Sequence, residues 1–352
     1  ITSDEVLDSV DFQMTIDSKR VYGQPFLDPK NVRISETIND DGLLEYVYQN
    51  NIKLERGDNL LQLSVGGATS KTVKVHYIPP RGDIHIIAFG IPHEDLKFTQ
   101  KDANDFSQAF DNQNNMLYDS VRVFTHSTDE NTTKKSVSFA IQDIQNDFFF
   151  EKIGIHDVVV LYFSSHGFPY RNESFFLAAS DYDDRYPQQT SIDFEREVLE
   201  ILDTVDCQKV IFIDACHSGA ESLAELAATR DDYQFVMSCS ADEVSHEDTL
   251  WQNGAFTEAL MEVFEVENPL DEKKIQKADL NNDKRLSLEE IYEYVHKRVP
   301  ELVKNKRPKV KGSQTPFHTI IEDLSLYALY KNSQQISQPS LDEKEEPNPP
   351  RD

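Results

Sequence analysis

At 352 residues, 38% of them hydrophobic, the chain is long enough for two domains or one large one and can support a sizeable core. Asp+Glu 63 against Lys+Arg 35 gives a net charge of −28, which repels phosphate backbones and anionic membrane surfaces, argues against nucleic-acid binding, and favours cationic ligands such as metal ions or basic peptides. No apolar stretch approaches the roughly 18 residues of a membrane span, and Ile1-Thr2-Ser3-Asp4-Glu5 lacks the charged and apolar regions of a signal peptide. Three cysteines without paired spacing point to free thiols and a reducing, cytoplasmic location.

From about residue 8 to 78 the pattern is of short strands. Leu61, Leu63 and Val65 alternate with polar residues, Gly66-Gly67 turns the chain, and Val73, Val75 and Tyr77 alternate again, which predicts a hairpin. With the turn signal Arg56-Gly57-Asp58-Asn59 before it, residues 1–80 read as a small all-β sandwich of immunoglobulin-like type. It carries no chemistry of its own and suits a spacer or a partner-docking module, as would a region upstream of Ile1.

Pro79-Pro80-Arg81-Gly82 is a stiff boundary, and after it the pattern changes. Strands are expected at 84–91 and 121–124, in the two runs ending at His166 and at Cys216, and at 235–238, and helices at 100–113, 133–149, near 190–205 and near 220–229. Continuous apolar strands alternating with helices predict an α/β domain over 81–330, with a mostly parallel sheet covered by helices on both faces. Gln314-Thr315-Pro316-Phe317 opens an edge strand, where Pro is tolerated. Residues 331–352, rich in Pro, Glu, Gln and Ser, read as a disordered tail.

In open sheets of this kind the ligand crevice lies beyond the carboxyl ends of the strands. His166 and Cys216 are both expected there, each just past an apolar run and each followed by a Gly within three residues. A thiolate can attack a carbonyl while an imidazole protonates the departing amine. Gly167, without a Cβ, would let the backbone approach a substrate, and its N–H with that of Cys216 could receive an oxyanion. Cys207 and Cys239 read as packing residues; Ser238 and Ser240 border the predicted groove.

Ser165-His166-Gly167 and Asp214-Ala215-Cys216-His217-Ser218-Gly219 resemble the histidine and cysteine motifs of the caspase-like cysteine peptidases of family C14, closest to metacaspases and their bacterial relatives. The resemblance covers about residues 83 to 325, including Lys101-Asp102-Ala103, Ser174-Phe175-Phe176-Leu177 running into Asp181, and Asn253-Gly254-Ala255-Phe256-Thr257. True caspases carry Q-A-C-[RQG]-G at the nucleophile; here Asp214 stands at the Gln position and His217 after the Cys. The resemblance implies a caspase-like fold, a Cys216 and His166 dyad, and a substrate pocket at Asp102 and Asp214, joined by Ser238. Two carboxylates in a cleft favour Arg or Lys before the scissile bond. It also implies calcium dependence through acidic residues such as Asp181, Asp183 and Asp184, and processing after Arg230. The alternative from another class is a catalytically silent caspase-like scaffold with a calcium-responsive loop.

A second site is expected from spacing alone. Asp279, Asn281, Asp283, Ser287 and Glu290 fall at positions 1, 3, 5, 9 and 12 of an EF-hand loop, with the Arg285 carbonyl at position 7, which predicts a Ca2+ site. Lys284 stands where the sharp turn calls for Gly. A helix follows, with Leu288, Ile291, Tyr292, Val295 and Val299 on one face; without metal, the same Asx-rich loop would serve as its cap.

Overall fold

The computed structural model describes residues 81–170, 174–218, 229–264, 278–306, 312–321 and 323–329 without interruption, Leu223 and residues 225–226, and, within the first 80 residues, the strands below with a few positions beside them. The expected tail at 331–352 and most of the helix near 220–229 lie outside the described residues. The chain divides into two units, Ile1–Pro80 and Arg81–Asp352, at the Pro-rich boundary.

In the first unit the strands are antiparallel and form two sheets. One joins Thr2–Ser3, Leu44–Val47 and Ser35–Ile38; the other joins Lys19–Arg20, Phe12–Ile16, Gly57–Val65 and Ala68–Thr69, with Val73–Tyr77 also on Gly57–Val65. The predicted hairpin is present, with Leu61 opposite Val73 and Asn59 opposite Val75.

The second unit is built on six strands: β1 (Ile84–Gly90), β2 (Val121–His126), β3 (Val158–Ser164), then β7 (Gln208–Asp214), β8 (Tyr233–Met237) and β10 (Phe317–Thr319). Three short strands, β4 (Gly167–Tyr170), β5 (Ser174–Ala178) and β6 (Ser191–Asp193), form an antiparallel sheet after β3, and β9 (Arg285–Ser287) pairs with β11 (Ser325–Ala328). The main sheet runs β2-β1-β3-β7-β8-β10, parallel throughout except for β10, the predicted edge strand.

Every residue of β1, β3 and β8 is buried, which explains runs without polar alternation, whereas the edge strand β2 alternates half-buried with exposed positions. Successive residues serve opposite faces. Ile86, Val160, Tyr162, Val210 and Phe212 pack under α1 (Thr99–Ala109), α3 (Ala255–Phe264) and α4 (Leu288–Lys306). Ile87, Phe89, Leu161, Ile211 and Ile213 pack under α2 (Lys134–Phe149). The Phe106 ring stacks on Tyr162 at 4.5 Å and meets Phe110 and Phe212, so its removal would cost about 3–5 kcal/mol. Helix α2 starts where Thr133 Oγ1 accepts the Ser136 N–H at 3.2 Å, and Asp181 accepts the next free donor, Lys134 N–H, at 2.8 Å.

One expected helix differs. The segment near 190–205 is strand β6, then a π-helical turn at Glu195–Leu199 and a short turn at Glu200–Leu202. The Phe176 to Asp193 and Leu177 to Ile192 pairing with β5 takes its first residues into the small sheet, overriding the helical spacing that Val198, Leu199 and Leu202 keep.

Candidate active site

Strands β3 and β7 are in register, Ser164 opposite Asp214, and the Ser165 N–H continues the ladder to the Asp214 carbonyl at 3.2 Å. His166 and Cys216 each lie two residues past that last pair, so the sheet brings them to the same level on neighbouring strands. Both are half-buried. A Cβ on Gly167 would overlap the Cys216 carbonyl oxygen and lie 2.9 Å from the Phe175 ring. The glycine therefore serves a close approach between the two strand ends, in addition to any approach to substrate.

Burial pushes the Cys216 thiol up and the nearby Asp214 charge adds to that, while the Ser245 backbone N–H works the other way. The resting group is a thiol that needs a base. The turn after it is strained: His217 has φ of 57°, its N–H bonds the Glu243 carbonyl at 3.2 Å and its Nδ1 lies 2.7 Å from the Ala241 carbonyl. Glu243 in turn accepts from the Thr315 N–H at 2.7 Å, tying this loop to the segment before β10.

Asp102 and Asp214 come together as expected, at 2% and 5% exposure. Asp102 accepts the Gly254 N–H at 3.0 Å and the Ser164 hydroxyl at 3.0 Å. Asp214 accepts the Ser245 hydroxyl at 2.6 Å and the Thr257 hydroxyl at 2.8 Å. A Cβ on Gly254 would sit 2.5 Å from one Asp214 oxygen and 3.5 Å from an Asp102 oxygen, so the glycine leaves the space between the carboxylates. Burial pushes both carboxyls up, Asp102 strongly, with the Asp214 charge as its second cause. Asp102 neither caps α1 nor faces solvent.

Ser238 is fully buried, and its hydroxyl bonds the Ala215 N–H at 3.2 Å and the Ala215 carbonyl at 3.1 Å. It braces the strand end that carries the nucleophile, and its hydroxyl works against the burial that raises the Asp214 carboxyl. Cys207 and Cys239 are buried, as expected of packing residues.

The loop Asp279 to Glu290 is closed on its own N–H groups. Asp279 accepts from Asp283 and Lys284, Asn281 from Asp283, Asp283 from Arg285, Ser287 from Glu290, and Glu290 from Leu280, Asn281 and Ser287, at 2.8–3.3 Å. Lys284 has φ of 67° and Asn282 of 60°, so a lysine makes the left-handed turn expected of glycine. The acidic run 181–184 is otherwise engaged: Asp181 caps α2 and Asp183 pairs with Arg185 at 2.6 Å. Arg230, expected as an exposed processing site, is a bidentate partner of Asp203 at 2.8 Å through both Nε and Nη2, and its Nη1 bonds the Leu226 carbonyl.

The Peptidase_C14 caspase-domain family matches residues 84–322. The chain belongs to this family. The caspase domain carries a cysteine-peptidase type of function, acting on protein substrates, and the match spans the sheet and both strand ends described above. Among solved structures, pro-sf-caspase-1 is similar over 68% of this chain and 92% of that one, at 16% identity and a TM-score of 0.40, too slight a likeness to carry an argument. A comparison with curated proteins finds no match.

Sequence reasoning passed over Ser164, Ser245 and Thr257, whose hydroxyls hold the carboxylates, and Asp95 and His93, which face His166. Thr257 and Gly254 lie inside a segment the motifs did mark; Ser245, His93 and Asp95 are on loops, where no periodicity announces them.

Proposed function

We propose that this caspase-domain protein is a cysteine endopeptidase cutting after Arg or Lys, with Cys216 as nucleophile and His166 as acid and base. The observation that carries the reading is the buried carboxylate pair. Among the described residues neither Asp102 nor Asp214 has a Lys or Arg within ion-pair distance; hydroxyls and backbone N–H groups are their partners. Such a pair repels an acidic side chain and gains from a guanidinium or ammonium. Asp214 in place of Gln, and His217 after the nucleophile, favour the metacaspase branch over true caspases.

In the reaction the Cys216 thiol gives its proton to His166 as the S–C bond forms, and the carbonyl π pair moves onto oxygen, where the N–H groups of Gly167 and Cys216 are the proposed donors. When that pair returns, the C–N bond breaks and the imidazolium protonates the leaving amine. Water then attacks the thioester with His166 taking its proton, releasing the acid product and restoring the thiol.

Calcium is the proposed activator, held by Asp279, Asn281, Asp283, the Arg285 carbonyl, Ser287 and Glu290. The donor chemistry suits a hard cation, since all are oxygen ligands and Lys284 adopts the turn that position needs, but Asp279, Asp283 and Glu290 here spend oxygens on the loop's own N–H groups, which an ion would have to share. Bound there, the ion supplies positive charge to a carboxylate loop at the start of α4. The free cysteines support the cytoplasmic location, and the N-terminal unit is proposed as a docking module.

The test is hydrolysis of fluorogenic peptides ending in Arg, Lys or Asp, by wild type and Cys216→Ala, with calcium or a chelator. Arg and Lys peptides should be cut, the chelator should lower the rate, and Cys216→Ala should lose at least about 10³-fold. Faster cleavage after Asp would overturn the specificity, and indifference to the chelator the metal. Failure of an Arg-directed electrophile to label Cys216 would favour the silent scaffold.

A further inference from the structure

We propose that Asp95 is the positioning residue for His166, extending the Cys216 and His166 pair into a line of three groups; this rests on those two acting together as proposed above. The loop that carries Asp95 is fixed at both ends. The Ile91 N–H bonds the Ser164 carbonyl at 2.9 Å, which prolongs the β1 and β3 pairing past Gly90 and delivers the next residues over the carboxyl end of β3. At the far end the Lys97 and Phe98 N–H groups, just before α1, bond the Glu247 carboxylate at 3.0–3.3 Å. Between them the Leu96 N–H closes a turn on the His93 carbonyl at 3.3 Å.

Asp95 Oδ1 thus lies 2.8 Å from His166 Nε2. The His93 ring stands 4.9 Å from the His166 ring at 52°, and His93 Nε2 is 3.4 Å from the Ser165 hydroxyl, which itself donates to the Ala178 carbonyl at 2.8 Å. A carboxylate accepting from Nε2–H sets the tautomer and leaves the Nδ1 lone pair to take the thiol proton. It also offsets the charge on the ring once the proton has arrived. Among the described residues the titratable groups in contact with His166 are Asp95 and His93 from this loop, and Cys216 lies at the same level at the end of β7. Burial, and next the His166 charge, hold His93 below the usual histidine range, which disfavours it as a competing base, while the bond to His166 holds the Asp95 carboxyl low. The Asp95 side chain is 74% exposed, so water screens the pair and its effect should be a fraction of that of a buried triad acid.

Asp95→Ala, Asp95→Asn and Asp95→Glu alter an exposed side chain, so folding should hold, as unchanged melting would verify. On an Arg peptide, Asp95→Ala should lower kcat about fivefold with KM within about twofold, Asp95→Asn should fall between, and Asp95→Glu should restore most of the rate. Wild-type kcat in Asp95→Ala, with His166→Ala inactive, would overturn the role of Asp95 alone. Full activity in His166→Ala would overturn the dyad and this inference with it.

Discussion

The two ends of the main sheet treat charge in opposite ways. At the amino ends of the strands each buried or half-buried charge has a partner: His85 meets Asp157 at 3.0 Å, Arg122 meets Asp83 at 3.0 Å, Lys209, fully buried within β7, pairs with Asp232, and Arg230 pairs with Asp203. Asp83, His85 and Asp157 converge closely enough to be a candidate metal group, yet their carboxylates are already met by Arg122 and by the N–H groups of Asp83, Gly154 and Ser120. At the carboxyl ends two buried carboxylates lie beside one another at Gly254, and the turn after Cys216 is held at positive φ. One end is arranged for cohesion, whereas the other retains repulsion and strain that a ligand could relieve.

That contrast can be tested from both ends. The largest effect is expected at Gly254→Ala, whose methyl would enter the space between the carboxylates: kcat/KM on an Arg peptide should fall at least about 100-fold. The overlap with a buried carboxylate should also lower melting, so the rates are compared per folded molecule. At the opposite end, Asp157→Ala strands the Asp83 and Gly154 N–H groups and His85, and should destabilise by about 2 kcal/mol in urea titration while activity per folded molecule holds. The smallest effect is at Asp102→Asn. A carboxyl pushed up on folding binds its proton more tightly in the native state, so stability falls as pH rises from the ordinary aspartate range through the raised value. The Asn variant should therefore melt higher than wild type at alkaline pH and alike in acid. It should also bind Arg analogues more weakly, and lose the proton release that calorimetry in different buffers should detect when wild type binds them.

The parallel strands were legible in the sequence because burial on both faces removes polar alternation, and β1, β3 and β7 fell within a residue or two of expectation. The placement of His166 and Cys216 just past neighbouring strand ends was legible because each follows an unbroken apolar run. The stretch at 191–202 was not, since β6 owes its conformation to pairing with β5, a contact outside its own sequence. Asp95 was hidden for a similar reason: a carboxylate in a loop between β1 and α1 looks like any solvated acid until the register of β1 and β3 sets it above His166. The roles of Gly167 and Gly254 were only half visible, because what a missing Cβ makes room for depends on a neighbouring chain segment.

The clamp on Arg230 bears on the fate of the molecule in its own company. A peptidase with the proposed preference for basic residues meets, at every encounter with a second copy, 35 Lys and Arg residues of the kind it would cut. Arg230 is already seated between the two oxygens of Asp203, beside the Tyr233 ring, so the contacts a pocket with Asp102 and Asp214 could offer are largely supplied at home. Cutting there would first require withdrawing the guanidinium from its own carboxylate. Under the proposed specificity, self-recognition at this turn is conditional on that local opening.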